Sequence, residues 1–211
     1  EGRRAIDGFL RAGWQPEHLL VGVDETAPPH WPGDRIRPAA TRVLTRLSQA
    51  STPSGFLASF ARPAPAAPDP ALGGLCCVGI ADPGNLGTLL RTAAAFGVRQ
   101  VALAGGVDPF SHKVVQASAG ALAQVCLATI PGPQPLAGGA PLTALVVQGG
   151  TAPEALPRQP RWLVVGSEAD GLTAEWLAAC AERATLPMPG GTESLNAAVA
   201  GAIACYLLLR S

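Results

Sequence analysis

The sequence predicts an α/β protein: a parallel sheet covered by helices on both faces, preceded by a smaller α/β unit. Three observations carry this. Short apolar runs alternate with helix-spaced segments from residue 75 onward. Those runs are apolar at successive positions, as strands buried on both faces are. A proline-rich stretch interrupts the chain from 62 to 74, with prolines at 63, 65, 68 and 70. Proline blocks helix and sheet ladder alike and favours an extended segment, so residues 63–74 read as a linker between units 1–62 and 75–211.

In the first unit the spacing of Ile6, Phe9 and Leu10 predicts a helix over 3–12, stopped at Gly13. A strand over 18–23, a helix over 40–48 and a strand over 56–60 follow, so that a first strand looks to be missing. In the second unit, strands are predicted over 75–81, 100–104, 125–130, 142–148, 162–166 and 184–187. Helices are predicted over 86–96, 112–122, 173–181 and 194–210, with Thr173 as an N-cap. The last helix is uncharged until Arg210 but too short for a typical membrane span. It suits a core or a subunit interface.

Composition excludes some classes. Hydrophobic residues make up 48% and charged residues 14%, too apolar for a disordered chain. Fourteen of fifteen basic residues are Arg, so arginine as such marks nothing. Net charge is zero, with no global nucleic-acid signature. Residues 1–62 hold eight Arg against six acidic residues, a slight basic bias. The five cysteines form no Cys-x-x-Cys pair and sit in apolar runs. Free thiols in a reducing cytoplasm are expected, with no metal site. The chain opens at Glu1-Gly2 without a methionine, which leaves a preceding segment open.

Three polar turns follow predicted strands, where parallel sheets bind ligands. They are Asp82-Pro83-Gly84-Asn85 leading to Arg91, Gly166-Ser167-Glu168-Ala169-Asp170-Gly171, and Leu186-Pro187-Met188 leading to Ser194-Leu195-Asn196. None is a Walker loop or a Gly-x-Gly-x-x-Gly fingerprint, which disfavours nucleoside triphosphates and a nicotinamide dehydrogenase. Each candidate has a plain structural alternative. Arg91 either projects over the strand ends or is a solvated helix residue. Asn85 and Ser194 either act or merely cap helices, and Glu168 either acts or is exposed in a loop.

At these turns the sequence resembles the SpoU (TrmH-like) family of SPOUT RNA methyltransferases. Asn85-Leu86-Gly87-Thr88-Leu89-Leu90-Arg91-Thr92, Gly166-Ser167-Glu168-Ala169-Asp170-Gly171-Leu172, and Leu186-Pro187-Met188 continuing to Glu193-Ser194-Leu195-Asn196-Ala197 match in order and spacing. Residues 1–62 resemble, more loosely, the small RNA-binding domain that precedes such catalytic domains. The resemblance implies S-adenosyl-L-methionine as cofactor, 2′-O-methylation of RNA (rRNA ahead of tRNA), a C-terminal trefoil knot and a homodimer whose partner helps complete the site. It assigns Arg91, Asn85, Ser194, Asn196 and Glu168 to catalysis. Gly166, Leu186, Leu195, Gln148 and Met188 are assigned to the cofactor. A cytoplasmic location is expected, with no membrane and no metal partner. A non-catalytic RNA-binding or ribosome-assembly factor of the same fold is the competing reading.

Overall fold

A computed structural model describes residues 1–50 and 52–210. Ser51 and Ser211, within the predicted units 1–62 and 75–211, lie outside the described residues.

The first unit is a three-stranded sheet with two helices. β1 (Pro16–Gly22) pairs in parallel with β2 (Ile36–Ala39) and antiparallel with β3 (Phe56–Phe60). α1 (Arg3–Arg11) and α2 (Thr41–Leu47) complete it. The sequence reading missed β2, whose Arg37-Pro38 looks like loop. Pro38 is tolerated because β2 is an edge strand. Ile6, Leu19, Val21, Trp31 and Phe56 form this unit's own core.

α1 also faces the second unit. Phe9, one turn beyond Ile6, joins the larger core and stacks on Phe60 with ring centroids 4.9 Å apart. Gly8 lies against Gly120, where a Cβ on Gly120 would sit 2.8 Å from the Gly8 Cα. Only a residue without a side chain fits on either side of that crossing.

The second unit is a six-stranded parallel sheet in the order β6-β5-β4-β8-β7-β9. The strands are β4 (Gly74–Val78), β5 (Gln100–Ala104), β6 (Cys126–Thr129), β7 (Leu142–Leu145), β8 (Trp162–Val165) and β9 (Glu182–Ala184). Side chains alternate between two cores, as the strand period of two requires. Leu75, Cys77, Leu163 and Val165 pack with α3 (Pro83–Ala95), α4 (His112–Ser118) and α6 (Ala197–Leu208). Cys76, Val78, Trp162 and Val164 pack on the other side with Trp176 of α5 (Ala174–Ala179). Both cores explain the unbroken apolar runs.

Several boundaries differ from expectation, each for a local reason. α3 begins at Pro83, because Asp82 caps it by accepting a 2.8 Å bond from the Asn85 amide. α4 stops at Ser118 instead of running to 122. Ala119 turns left-handed there (φ 51°), and a short 3₁₀ turn follows over Ala121–Gln124. α6 begins at Ala197 with Asn196, not Ser194, as its cap. Thr173 precedes α5 without a side-chain capping bond. β9 lies a little earlier than the 184–187 predicted, and β7 ends at Leu145 rather than 148.

The proline-rich segment has no regular structure but is tied down near its end. The Pro70 carbonyl accepts from Ala140 N (2.8 Å) and Trp162 Nε1 (3.1 Å), and Asp69 N donates to Gln100 Oε1 (2.7 Å). At its other end, Arg62 pairs with Asp108 at 2.8 Å and lies over the Phe110 ring. No described helix is long and apolar enough to cross a membrane.

Candidate active site

The strand order reverses beside β4: β5 and β6 lie on one side of it, β8, β7 and β9 on the other. Such a reversal opens a crevice at the carboxyl ends of the strands. On the β8–β7 side of this reversal, at the carboxyl ends of β7 and β8, lies a cleft of about 610 Å³, within the size range of small-molecule sites, roughly 300–1,000 Å³.

Of the residues predicted for the site, Gly166, Glu168, Leu186, Met188, Ser194, Leu195 and Asn196 line this cleft. They come from the β8–α5 turn and the β9–α6 loop, which the fold brings face to face. Asn85 does not line it but is bonded to two residues that do. Its Nδ2 donates to Glu168 Oε1 at 2.5 Å, and its Oδ1 accepts from Asn196 Nδ2 at 3.0 Å. Asn196 Oδ1 in turn accepts from the amides of Ala198 (2.9 Å) and Val199 (3.2 Å).

The result is a relay with one direction: α6 amides donate to Asn196, Asn196 to Asn85, and Asn85 to the Glu168 carboxylate. An amide side chain suits both inner positions because it donates and accepts at once. The relay joins all three polar turns. Its groups polarise one another in sequence, so their effects on the site are coupled.

The β8–α5 turn is pinned by a bridge. Ser167 N donates to Gly171 O (3.2 Å), Gly171 N to Ser167 O (3.1 Å), and Asp170 N to Ser167 Oγ (3.1 Å). A Cβ on Gly166 would run into the Gly171 backbone and stand 2.7 Å from Leu172 N. Glycine is required at 166 by the chain's own turn.

Two predicted residues lie elsewhere. Gln148 is exposed and outside the lining, whereas its neighbours Leu145, Val146 and Val147 form part of the wall. Arg91 is exposed on α3, outside the cleft, with no hydrogen bond or ion pair among the described residues. Helix spacing accounts for its exposure: Leu86, Leu89, Leu90 and Ala93 take the buried face. Wall residues that sequence reasoning passed over include Val165 and Ala200. An apolar residue ending a central strand was the available signal for Val165. Among the described residues, no cluster of three or more His, Cys, Asp or Glu side chains could hold a metal.

Residues 74–206, which contain all three turns, match the SpoU rRNA Methylase family. The chain belongs to that family. Over 181 residues this SpoU protein is 36% identical to an uncharacterized tRNA/rRNA methyltransferase, slr1673, of Synechocystis, covering 78% of this chain and 63% of that one. It is 33% identical to the 23S rRNA 2′-O-methyltransferase RlmP of Bacillus subtilis, over 61% of this chain and 54% of that one. It therefore spans somewhat more than half the length of these relatives. Among solved structures, a TrmH-family protein of Porphyromonas gingivalis aligns over 100% of the chain and 89% of its own, at TM-score 0.81 and 32% identity. The SpoU methyltransferase AviRb of Streptomyces viridochromogenes, solved with S-adenosylmethionine, aligns over 98% of the chain and 86% of its own, at TM-score 0.83 and 25% identity. Both alignments extend through the small first unit as well as the SpoU sheet.

Proposed function

We propose that this SpoU protein methylates the 2′-oxygen of ribose in RNA, rRNA ahead of tRNA, using S-adenosylmethionine bound in the cleft. The observation that carries the reading is the relay Glu168–Asn85–Asn196, which joins all three family-matching turns at one cleft. RlmP and another 23S rRNA relative, from Streptomyces viridochromogenes, bear names specifying the same 2′-O chemistry.

The cleft suits such a cofactor. Leu145, Val165, Leu186 and Leu195 give it apolar walls for an adenosine, and the chain at Gly166 and Leu186 offers backbone groups to adenine edges. Gly166, Leu186, Leu195 and Met188 are assigned to holding it, and Gln148 to a place beside its wall. When bound, the cofactor would supply a methyl group on a cationic sulfur for transfer to O2′, with the sulfur keeping the bonding electrons and the hydroxyl proton passing to water. Arg91 cannot be the base for that proton at ordinary pH, because a guanidinium stays protonated. Its part is electrostatic, stabilising the oxygen as it gains charge or gripping a neighbouring phosphate through its planar fork. Ser194 positions the ribose, while Asn85, Asn196 and Glu168 hold the turns in register.

Residues 1–62 serve as the RNA-binding unit and 75–211 as the catalytic one, with the C-terminal trefoil knot of the family. The working form is a homodimer. Val199, Ile203 and Tyr206 recur at helical spacing and leave an exposed apolar stripe along α6. Arg91 lies outside the cleft of its own chain, which fits a site completed by a second copy.

The test is transfer of labelled methyl from S-adenosylmethionine to rRNA and tRNA, with nuclease digestion to identify the nucleoside. 2′-O-methyl nucleosides are expected. RNA binding without any methyl transfer would favour the non-catalytic RNA-binding factor instead.

A further inference from the structure

The charged residues lining the cleft are both acidic: Glu168 and Asp170. No Arg, Lys or His lines it among the described residues. This is an unexpected sign for a protein that handles a polyanion. An anionic cleft repels phosphate and attracts cations, so its electrostatics are matched to something other than RNA.

The two carboxylates are not equivalent. Glu168 is engaged as the terminal acceptor of the relay. The Asp170 side chain has no hydrogen bond or ion pair among the described residues, yet its backbone is fixed. The Ser167–Gly171 bridge closes the turn around it, and its own amide is held by Ser167 Oγ. Asp170 is thus a free negative charge on a braced turn at the cleft wall.

We propose that Asp170 is a specificity-determining residue that makes the cleft favour the cationic cofactor over its demethylated product. This rests on the reading of the cleft as the S-adenosylmethionine site. The cofactor and the product, S-adenosylhomocysteine, share adenosine, ammonium and carboxylate groups. They differ by the methyl and by one positive charge, because methyl transfer turns a sulfonium into a neutral thioether. A fixed carboxylate at the wall attracts the sulfonium and loses that attraction once the methyl has gone. Reaction itself then loosens the spent cofactor, and the same charge keeps RNA phosphates from competing for the cleft.

The experiment measures dissociation constants by calorimetry on the full chain and on Asp170→Asn. The ligands are S-adenosylmethionine, S-adenosylhomocysteine and sinefungin, whose amine replaces the sulfonium with a stable cation. Asp170→Asn should lower the preference for both cationic ligands over the thioether by roughly three- to tenfold, the effect of one partly screened charge. In the unaltered protein that preference should shrink as salt rises, and Asp170→Glu should retain most of it. Equal weakening of all three ligands would overturn the proposal, since Asp170 would then be reading the shared ammonium. An unchanged preference in Asp170→Asn, with unchanged thermal melting, would also overturn it. If the unaltered chain bound none of the three, the S-adenosylmethionine reading itself would fail, a result distinct from either.

Discussion

Asn85, Asn196 and Glu168 work at the scale of single residues: each amide donates through its nitrogen and accepts through its oxygen, and the Glu168 carboxylate only accepts. Replacing either inner amide by a carboxylate would remove a donor and break the direction of the relay. Gly166 has a different reason to be there: the space of its missing Cβ is filled by the Gly171 backbone, so the turn itself excludes a side chain. Arg91 stands apart from both, exposed and unpaired among the described residues. Its removal should therefore cost little stability, under about half a kcal/mol. If it stabilises charge on the reacting oxygen, Arg91→Ala should slow methyl transfer about a hundredfold or more while cofactor affinity holds. Arg91→Lys should restore little, because an ammonium lacks the planar fork. Single-turnover rates at saturating cofactor and RNA decide this; a near-normal rate for Arg91→Ala would remove it from the mechanism.

At the scale of elements, α1 is the part on which the first unit depends, since it contributes Ile6 to one core and Phe9 to the other. Asp7, between them, accepts from Trp31 Nε1 at 2.6 Å and pairs with His30 at 2.9 Å, fastening the β1–β2 connection onto α1. Burial works to raise the Asp7 carboxyl, but the bonds from Trp31 and His30 and the nearby Arg11 together outweigh it and hold it below its ordinary value. A carboxyl depressed in the folded state stabilises above its unfolded pKa, about 3.9, and loses that contribution as pH falls through the lower folded value. Asp7→Ala should destabilise the first unit by about 1–3 kcal/mol at neutral pH, because it strands the Trp31 N–H. Urea titrations should show the variant and the unaltered protein converging as pH drops below about 4. A gap that persisted undiminished at pH 2–3 would mean that the bonds do not depend on the Asp7 charge.

For the whole molecule, the two units are joined by more than the proline-rich strap. The Gly8–Gly120 crossing, the burial of Phe9 in the larger core and the Arg62–Asp108 pair all lie between them. RNA held by the first unit would therefore be held at a set distance from the cleft. The stripe on α6 is an apolar surface left uncovered among the described residues. Light scattering should find a dimer at micromolar concentration, and Ile203→Glu should shift it toward monomer by placing a charge in that stripe without touching the buried face of α6. A monomer in the unaltered protein at tens of micromolar would count against the homodimer.

The sequence by itself determined the parallel α/β class, most strands of the larger sheet and seven of the residues that line the cleft. The strands were legible because buried strands have a local signature, and the cleft residues because the polar turns that follow them resemble the family's motifs. Tertiary structure alone decided the rest. Gly8 and Gly120 are 112 positions apart, and only their contact shows why neither carries a side chain. The early end of α4 and the start of α6 at Asn196 depend on backbone geometry and on a cap that composition does not announce. The relay itself links residues 83 and 111 positions apart. Periodicity reads neighbours along the chain, whereas the register of the sheet decides which distant turns meet, and the site is made of those meetings.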